Sequence, residues 1–309
     1  MPQLSIRQAR LVVARYSYNP RRDGHICRIE QELEPMLERQ SYEIPYPSSR
    51  QLTFDVGMVG LAKHHVKALL EVDVTEARRI IKQNRHNGRK ISFTAWLIKA
   101  IADCVALHPP IAGINDAKRN RVLVFNEVDI SIVVEKDVNG ARVPLPYVIR
   151  KADKKSLCQI QEEIESAKAQ RVGDEGNYVL GEERSTIGMK LFLLLPQWLR
   201  LLLMRLLVLN HPHRVKNMMG NVMITTAGMV GHTRGWIMPF GMHPLCLAFG
   251  SLNEQAAIYR GEIQKREILH LTVLIDHDVI DGVPAARFVD DLVKKLQAGF
   301  GLPTQNLVS

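Results

Sequence analysis

The stretch LIDHDVIDG, Leu274 to Gly282, holds His277 four residues ahead of the pair Asp281-Gly282. An imidazole titrates near neutral pH, so a histidine fixed in a loop can serve as a general base. The flanking residues indicate what would fix it. Leu271, Val273 and Ile275 alternate with Thr272, Leu274 and Asp276, the period of a strand that delivers the chain to His277. After Gly282, VPAARFVDDLVKKL places Phe288, Val289, Leu292, Val293 and Leu296 on one helical face, with Pro284 near the first turn. His277 to Asp281 is therefore expected as a strand-to-helix loop, with Asp281 at a helix N-terminus, where a carboxylate is favoured. The same spacing also fits a solvated turn that happens to contain a histidine.

Other chemistries lose their usual support. There is no G-x-S-x-G elbow, no G-x-x-x-x-G-K-[ST] loop and no G-x-G-x-x-G fingerprint, which removes the common serine hydrolase, P-loop and dinucleotide signatures. His64-His65 and His211-Pro212-His213 lack a carboxylate or cysteine at metal-ligand spacing and read as core or surface residues. Cys27, Cys104, Cys158 and Cys246 stand far apart and are expected as reduced, mostly buried thiols; no metal site is expected. With 46% apolar residues in 309, a core is affordable in one large domain or two modest ones. Lysine and arginine exceed acids by 41 to 32, a net +9 that favours an anionic partner such as a phosphorylated cofactor, an acidic protein or a membrane surface. Basic residues are spread out and aromatics are only 6%, with no zinc-finger spacing or RNP-like strand, so nucleic acid is not an expected partner. The first residues carry five arginines before Asp23 but no apolar signal core, so a cytoplasmic location is expected.

The elements that must position His277 come from periodicity and breakers. From Val66, VKALLEVDVT reads as a strand, and TEARRIIKQNRHNG as a helix opened by Thr75 and closed near Asn87-Gly88. SFTAWLIKAIADCVALHP follows as an apolar helix, N-capped by Ser92 and stopped by Pro109-Pro110. Ile130, Ile132 and Val134 alternate with Ser131, Val133 and Glu135 before an Asn139-Gly140 turn, a hairpin of long strands. DKKSLCQIQEEIESAKAQR is an amphipathic helix capped by Asp153 or Ser156, and NVMITTAGMVG a strand running into a glycine-bearing turn. Further strands lie around LCLAFGSL and HLTVLID. The expected class is α/β (α+β), a mixed sheet with helices packed on it. Residues 1–49 form a basic arm with a helix near RIEQELEPMLERQ, and 301–309 a short tail.

Lys190 to Asn210, KLFLLLPQWLRLLLMRLLVLN, is long enough to cross a bilayer by apolar count, yet Pro196, Gln197, Arg200 and Arg205 interrupt it. It suits a helix on an apolar surface or membrane interface, and equally a helix buried against the core or a neighbouring subunit. Ordinary soluble patterns on both flanks favour burial.

Several stretches, in order, resemble the catalytic domain of the dihydrolipoamide acyltransferases, the E2 components of 2-oxo acid dehydrogenase complexes. They are HVKALLEVDVT from His65, NEVDISIVV from Asn126, VPLPYVIRKADKKSLCQI from Val143, MITTAGMVG from Met223 and DHDVIDGVPAARF from Asp276. The resemblance covers roughly residues 50–300 and includes the H-x-x-x-D-G motif shared with chloramphenicol acetyltransferase. It implies a chloramphenicol acetyltransferase-like two-layer sandwich and direct acyl transfer between coenzyme A and a dihydrolipoyl thiol, without a covalent acyl-enzyme. It implies a homotrimer or higher assembly with the active site at the subunit interface, and lipoyl carriers or dehydrogenase components as partners. By the same resemblance His277 is the general base, Thr225 the hydroxyl that donates to the oxyanion, and Asp281, with Gly282, a structural support paired with an arginine, best matched by Arg50. In its own setting Thr225 reads only as a strand residue before a turn.

Three departures stand out. Only about fifty residues precede the domain and they lack a lipoyl-type Asp-Lys-Ala turn, so the lipoyl group is expected in trans. Asp278 stands where the family commonly has arginine, and a carboxylate close to His277 would favour imidazolium. The 190–210 segment enlarges a usually shorter connection, with an apolar acyl pocket, the trimer contact or a membrane as its expected neighbour. Two alternatives stand beside thiol-to-thiol transfer: a catalytically silent oligomeric scaffold recruiting partners through the basic arm, and, from this segment, a membrane-surface acyltransferase acting on a lipid or hydroxyl acceptor.

Overall fold

The computed structural model describes residues 48–138, 141–170, 186–226 and 234–303. In chain order its elements are α1 (Ser48–Leu61), β1 (His65–Asp73), α2 (Thr75–His86), α3 (Phe93–Leu107), β2 (Ile114–Asp116), β3 (Arg121–Leu123), β4 (Ile130–Val138) and β5 (Ala141–Ile149). They continue with α4 (Leu157–Ala169), α5 (Thr186–Leu194), α6 (Gln197–Met204), α7 (Pro212–Met219), β6 (Val222–Thr225), β7 (Leu245–Tyr259), β8 (Glu262–Asp276) and α8 (Gly282–Gln297). The predicted helix in the arm and the Asn139-Gly140 turn lie outside the described residues.

LCLAFGS at the start of β7 and ILHLTVLID at the end of β8 are buried on consecutive residues, as strands covered on both faces must be. The outer halves of the same two strands revert to partly exposed residues, so the hairpin projects beyond the layer that covers it. The six-stranded sheet runs β1-β8-β7-β6-β4-β5. β6 is parallel to β4 and β7, and all other pairings are antiparallel, which gives the mixed sheet expected from the sequence. On one face α2, α3, α4 and α8 pack around Trp96, Ile98, Ile101, Phe249 and Phe288, all essentially without solvent exposure. On the other face runs the segment 234–244: Trp236 stands edge-on to His270 at 4.4 Å and donates its indole N–H to the Leu70 carbonyl.

The caps show where local signals are sufficient. Ser92 accepts the Ala95 N–H, and Ser156, not Asp153, caps α4 through a reciprocal box with Gln159. Asp153 instead accepts the Val128 N–H and joins the start of β4 to the β5–α4 connection. Thr75 does not cap α2; its hydroxyl donates to Asp73 and accepts the Glu267 N–H, bridging β1 to β8. No sequence pattern announced α1, which contains two glycines. Gly60 is required there, because a Cβ would lie 2.9 Å from the Gly241 carbonyl oxygen.

The 190–210 segment is not one helix. It breaks after Leu194, with Pro196 as the cap of α6, and continues through a π-helical turn over Arg205–Leu209 into α7. None of the described helices is long and apolar enough to cross a membrane. The arginine that interrupts the apolar run turns inward: Arg200 Nε and Nη2 donate to the two oxygens of Asp55 on α1 at 2.7 and 3.2 Å, and Nη1 to the Leu195 carbonyl. Leu191, Leu194, Trp198, Leu202 and Leu206 face solvent. Of the two coverings expected for this helix, the core of the same chain does not supply one, because the bidentate pair with Asp55 takes the charge inside and leaves these leucines out; the other, a neighbouring subunit, lies outside a single chain.

Phe288 ties α8 to α3, with His108 edge-on at 5.9 Å and Cys104 Sγ against its carbonyl. Phe288→Ala is expected to cost about 3–5 kcal/mol, read as a lower urea midpoint with unchanged slope.

Candidate active site

His277 is positioned by the residue before it. Asp276 ends β8 with no solvent exposure. Its Oδ2 accepts Lys63 Nζ at 2.6 Å and its Oδ1 the Asp278 N–H at 3.2 Å. Its own N–H donates to the Pro244 carbonyl, and its carbonyl accepts the N–H groups of Val279 and Ile280. One residue therefore closes the turn over 277–280. β1 pairs with β8 so that His65 faces Asp276, and the His277 N–H donates to the His64 carbonyl at 3.0 Å. With its backbone held, His277 presents an exposed imidazole that has no hydrogen-bond partner among the described residues. The ring borders a cleft of about 470 Å³ between β1, the end of β8 and α8, walled by Val66, Ala68, Ile275, Ile280 and Val289. An open imidazole beside an apolar cleft of ligand size can take a proton from a bound nucleophile.

Asp278 does not tune His277 through contact. Its carboxylate oxygens lie 2.9 and 3.1 Å from Nδ1 of His64, and this hydrogen bond and the negative charge raise the His64 pKa above the ordinary histidine value. The pair His64-His65, read from sequence as ordinary core or surface residues, clamps the loop: His65 Nε2 also reaches the His243 carbonyl at 2.9 Å. His243 is buried and stays neutral, its pKa pushed down to about 4 by desolvation.

Asp281 occupies the N-cap of α8 in extended conformation, and its carbonyl accepts the Ala285 N–H. Its side chain makes no cap bond and finds no partner among the described residues, so the expected pairing with Arg50 is not made within one chain. Arg50 lies exposed in the first turn of α1. Gly282 opens α8 with free space where a side chain would be, and lines the cleft. The bonds that hold the loop come from Asp276 and Lys63, which sequence reasoning missed. Their only signal is the β1–β8 register, which brings residues 213 apart into contact.

Thr225 is the last residue of β6, half-buried, with no hydrogen-bond partner for its hydroxyl among the described residues. Its strand is anchored by a second buried carboxylate. Asp129 accepts Lys216 Nζ at 2.8 Å, Arg150 Nη1 at 3.3 Å and the Lys151 N–H, while its carbonyl accepts the Asn221 and Val222 N–H groups. Val222, Leu245 and Ile275 share one row of the sheet. Thr225 lies beyond that row in one direction and His277 in the other, roughly 15 Å apart along the strands and about 10 Å across two strand spacings. One chain therefore brings His277, Asp281 and Gly282 together but not Thr225. Among the described residues, no three His, Cys, Asp or Glu side chains are grouped to hold a metal.

Lys63→Met should leave Asp276 buried without its counter-ion and cost about 3 kcal/mol in urea unfolding. The His64 pKa measured by NMR should lie above the ordinary value and return to it in Asp278→Asn. Because folding raises that pKa, the pair's contribution to stability is fully present below the ordinary histidine pKa and lost as pH rises through the raised one.

Comparison with known proteins gives consistent results. The family model of the 2-oxoacid dehydrogenases acyltransferase (catalytic domain) matches residues 60–174 and 211–300, stepping over 175–210. The dihydrolipoyllysine-residue acetyltransferase component of the pyruvate dehydrogenase complex of Bacillus subtilis (strain 168) is 24% identical over 238 residues, 75% of this chain and 44% of that protein. The chain spans about half the length of the curated relatives it matches. An Azotobacter vinelandii dihydrolipoamide acetyltransferase superimposes with a TM-score of 0.59 at 21% identity, covering 85% of this chain and 94% of that one. The cubic core of a pyruvate dehydrogenase multienzyme complex gives 0.58 at 20% identity with the same coverage. These structures share the fold, and with the family match over most of its length the chain belongs to the 2-oxoacid dehydrogenase acyltransferases.

Proposed function

We propose that this chain transfers an acyl group between coenzyme A and a thiol of the dihydrolipoyl type, in a site completed by a second copy of itself. The observation that carries the reading is His277, an unengaged imidazole on a fixed turn beside an apolar cleft in a chain of this family. A thiol of ordinary pKa, about 8.5, is mostly protonated at neutral pH, so a base that takes its proton makes the nucleophile. His277 takes that proton and the thiolate attacks the thioester carbonyl. The tetrahedral oxyanion accepts a hydrogen bond from the Thr225 hydroxyl. Collapse breaks the bond to the second thiol, which leaves as thiolate and recovers the proton from His277, so no acyl-enzyme forms.

The two-copy site rests on topology. His277 and Thr225 lie toward opposite ends of one sheet, so the base of one copy meets the hydroxyl of another only in an assembly; by the family resemblance a homotrimer is its smallest unit. The cubic core with the same fold supports such assembly. The Azotobacter enzyme has been studied through the role of a serine, a histidine and an asparagine in its mechanism, the last two four residues apart, the spacing of His277 and Asp281. Lipoyl carriers and dehydrogenase components are the partners this chemistry calls for, and the net positive charge suits coenzyme A phosphates.

Turnover of acetyl-coenzyme A with dihydrolipoamide tests the reading. His277→Ala should lower kcat by about 10²–10⁴ and Thr225→Ala by about 10², near 3 kcal/mol. Assemblies co-expressed from the two variants should regain activity that neither has alone. Wild-type rates in His277→Ala would overturn the assignment and leave an oligomeric scaffold.

A further inference from the structure

We infer that the α5–α6 segment is a docking face for an anionic lipid surface, separate from the acyl-transfer site. Its outward residues follow helical spacing across the break at Pro196: Leu191, Leu194, Trp198, Leu202 and Leu206. Leu194 is 82% and Trp198 66% exposed, at positions where a helix facing water carries polar side chains. Of the two arginines in the run, Arg200, which lies between Trp198 and Leu202, is taken off this stripe by folding back onto Asp55, with 9% and 2% of their side chains exposed. A segment that turns its arginine inward and its leucines and tryptophan outward has the side-chain arrangement of a helix lying in a bilayer interface.

Charge selects the occupant. From Arg184 to Asn253 the chain contains no aspartate or glutamate. Within the described part of that stretch Lys216 is already satisfied by Asp129. Arg205 and Arg214, both exposed, make no ion pair among the described residues, although Arg214 Nη1 donates to the Leu207 carbonyl, and Arg205 follows Leu202 by three residues. A second copy docked face to face here would bring like charges together, and the segment itself supplies no acid to offset them. Anionic headgroups complement the same residues, and the apolar stripe enters between them. The family match steps over 175–210, so the face lies outside the residues that match the domain.

The test is flotation of the full-length protein with vesicles of phosphatidylcholine and phosphatidylglycerol, against phosphatidylcholine alone. Binding is expected on the anionic vesicles, at least about tenfold weaker on the neutral ones, and reduced by about 1 M salt. Arg205→Gln should weaken it about fivefold. Leu194→Glu with Leu202→Glu should abolish it while the thermal melt and acyl-transfer rate stay as in wild type. Failure of the wild type to float, or equal flotation of the double variant, overturns the inference. So does a double variant that loses self-association in sedimentation without a change in flotation, which would assign the face to a second copy.

Discussion

A carboxylate with no exposure to water must be fully satisfied or it destabilises the fold by several kcal/mol, and Asp276 sits under that constraint at the end of the central strand β8. Its oxygens take a lysine from the turn just before the edge strand and a backbone N–H from the turn that follows β8. Satisfying Asp276 therefore fixes three things together: where β1 begins, how tightly the chain turns after β8, and the direction in which His277 leaves the sheet. The imidazole is exposed because the residue before it is buried. Strand alternation turns successive side chains to opposite sides, and the turn carries the next one over the cleft.

The same device recurs twice. Asp129 draws Lys216, Arg150 and the Lys151 N–H to the point where β4, β5 and β6 meet, and so sets the strand that ends in Thr225. Asp55 draws Arg200 and so sets the α5–α6 segment against α1. In each case a cation from a helix or a connecting turn reaches a buried carboxylate in a regular element or at its edge. Pairs of this kind contribute modest net stability, but removing one partner is expensive, which makes them better at fixing geometry than at adding strength.

This explains what could be read from the chain alone. Ser92 and Ser156 cap the helices expected of them, and the β8 alternation and the apolar face of α8 are local patterns with local causes. The placement of His277 between them followed directly. What escaped were relations without a local signature: Lys63 with Asp276, His64 with Asp278, and Arg200 with Asp55. Asp278 looked like a neighbour of His277 because it is next in sequence, yet adjacent residues diverge in a turn and its partner came from the edge strand. Burial of 190–210 against the core or a neighbouring subunit was expected from its flanks; within one chain the core does not cover these leucines, because one inward arginine with a bidentate partner decides which face of a short helix is covered.

The order of elements also separates the α5–α6 segment from the chemistry. α5 and α6 lead through α7 directly into β6 and Thr225, so a surface bound at Leu194 and Trp198 is on the same covalent path as the hydroxyl we propose as the oxyanion donor. Between the two stands the Asp129 cluster, which grips Lys216 near the end of α7 and the Asn221 and Val222 N–H groups at the entry to β6. Displacement arriving along α7 meets a buried ion pair and several hydrogen bonds, and a packed, satisfied cluster resists small shifts instead of passing them on. A connection placed before that cluster can be lengthened and given a new outer face while β6, its register and Thr225 stay where the acyl-transfer site needs them.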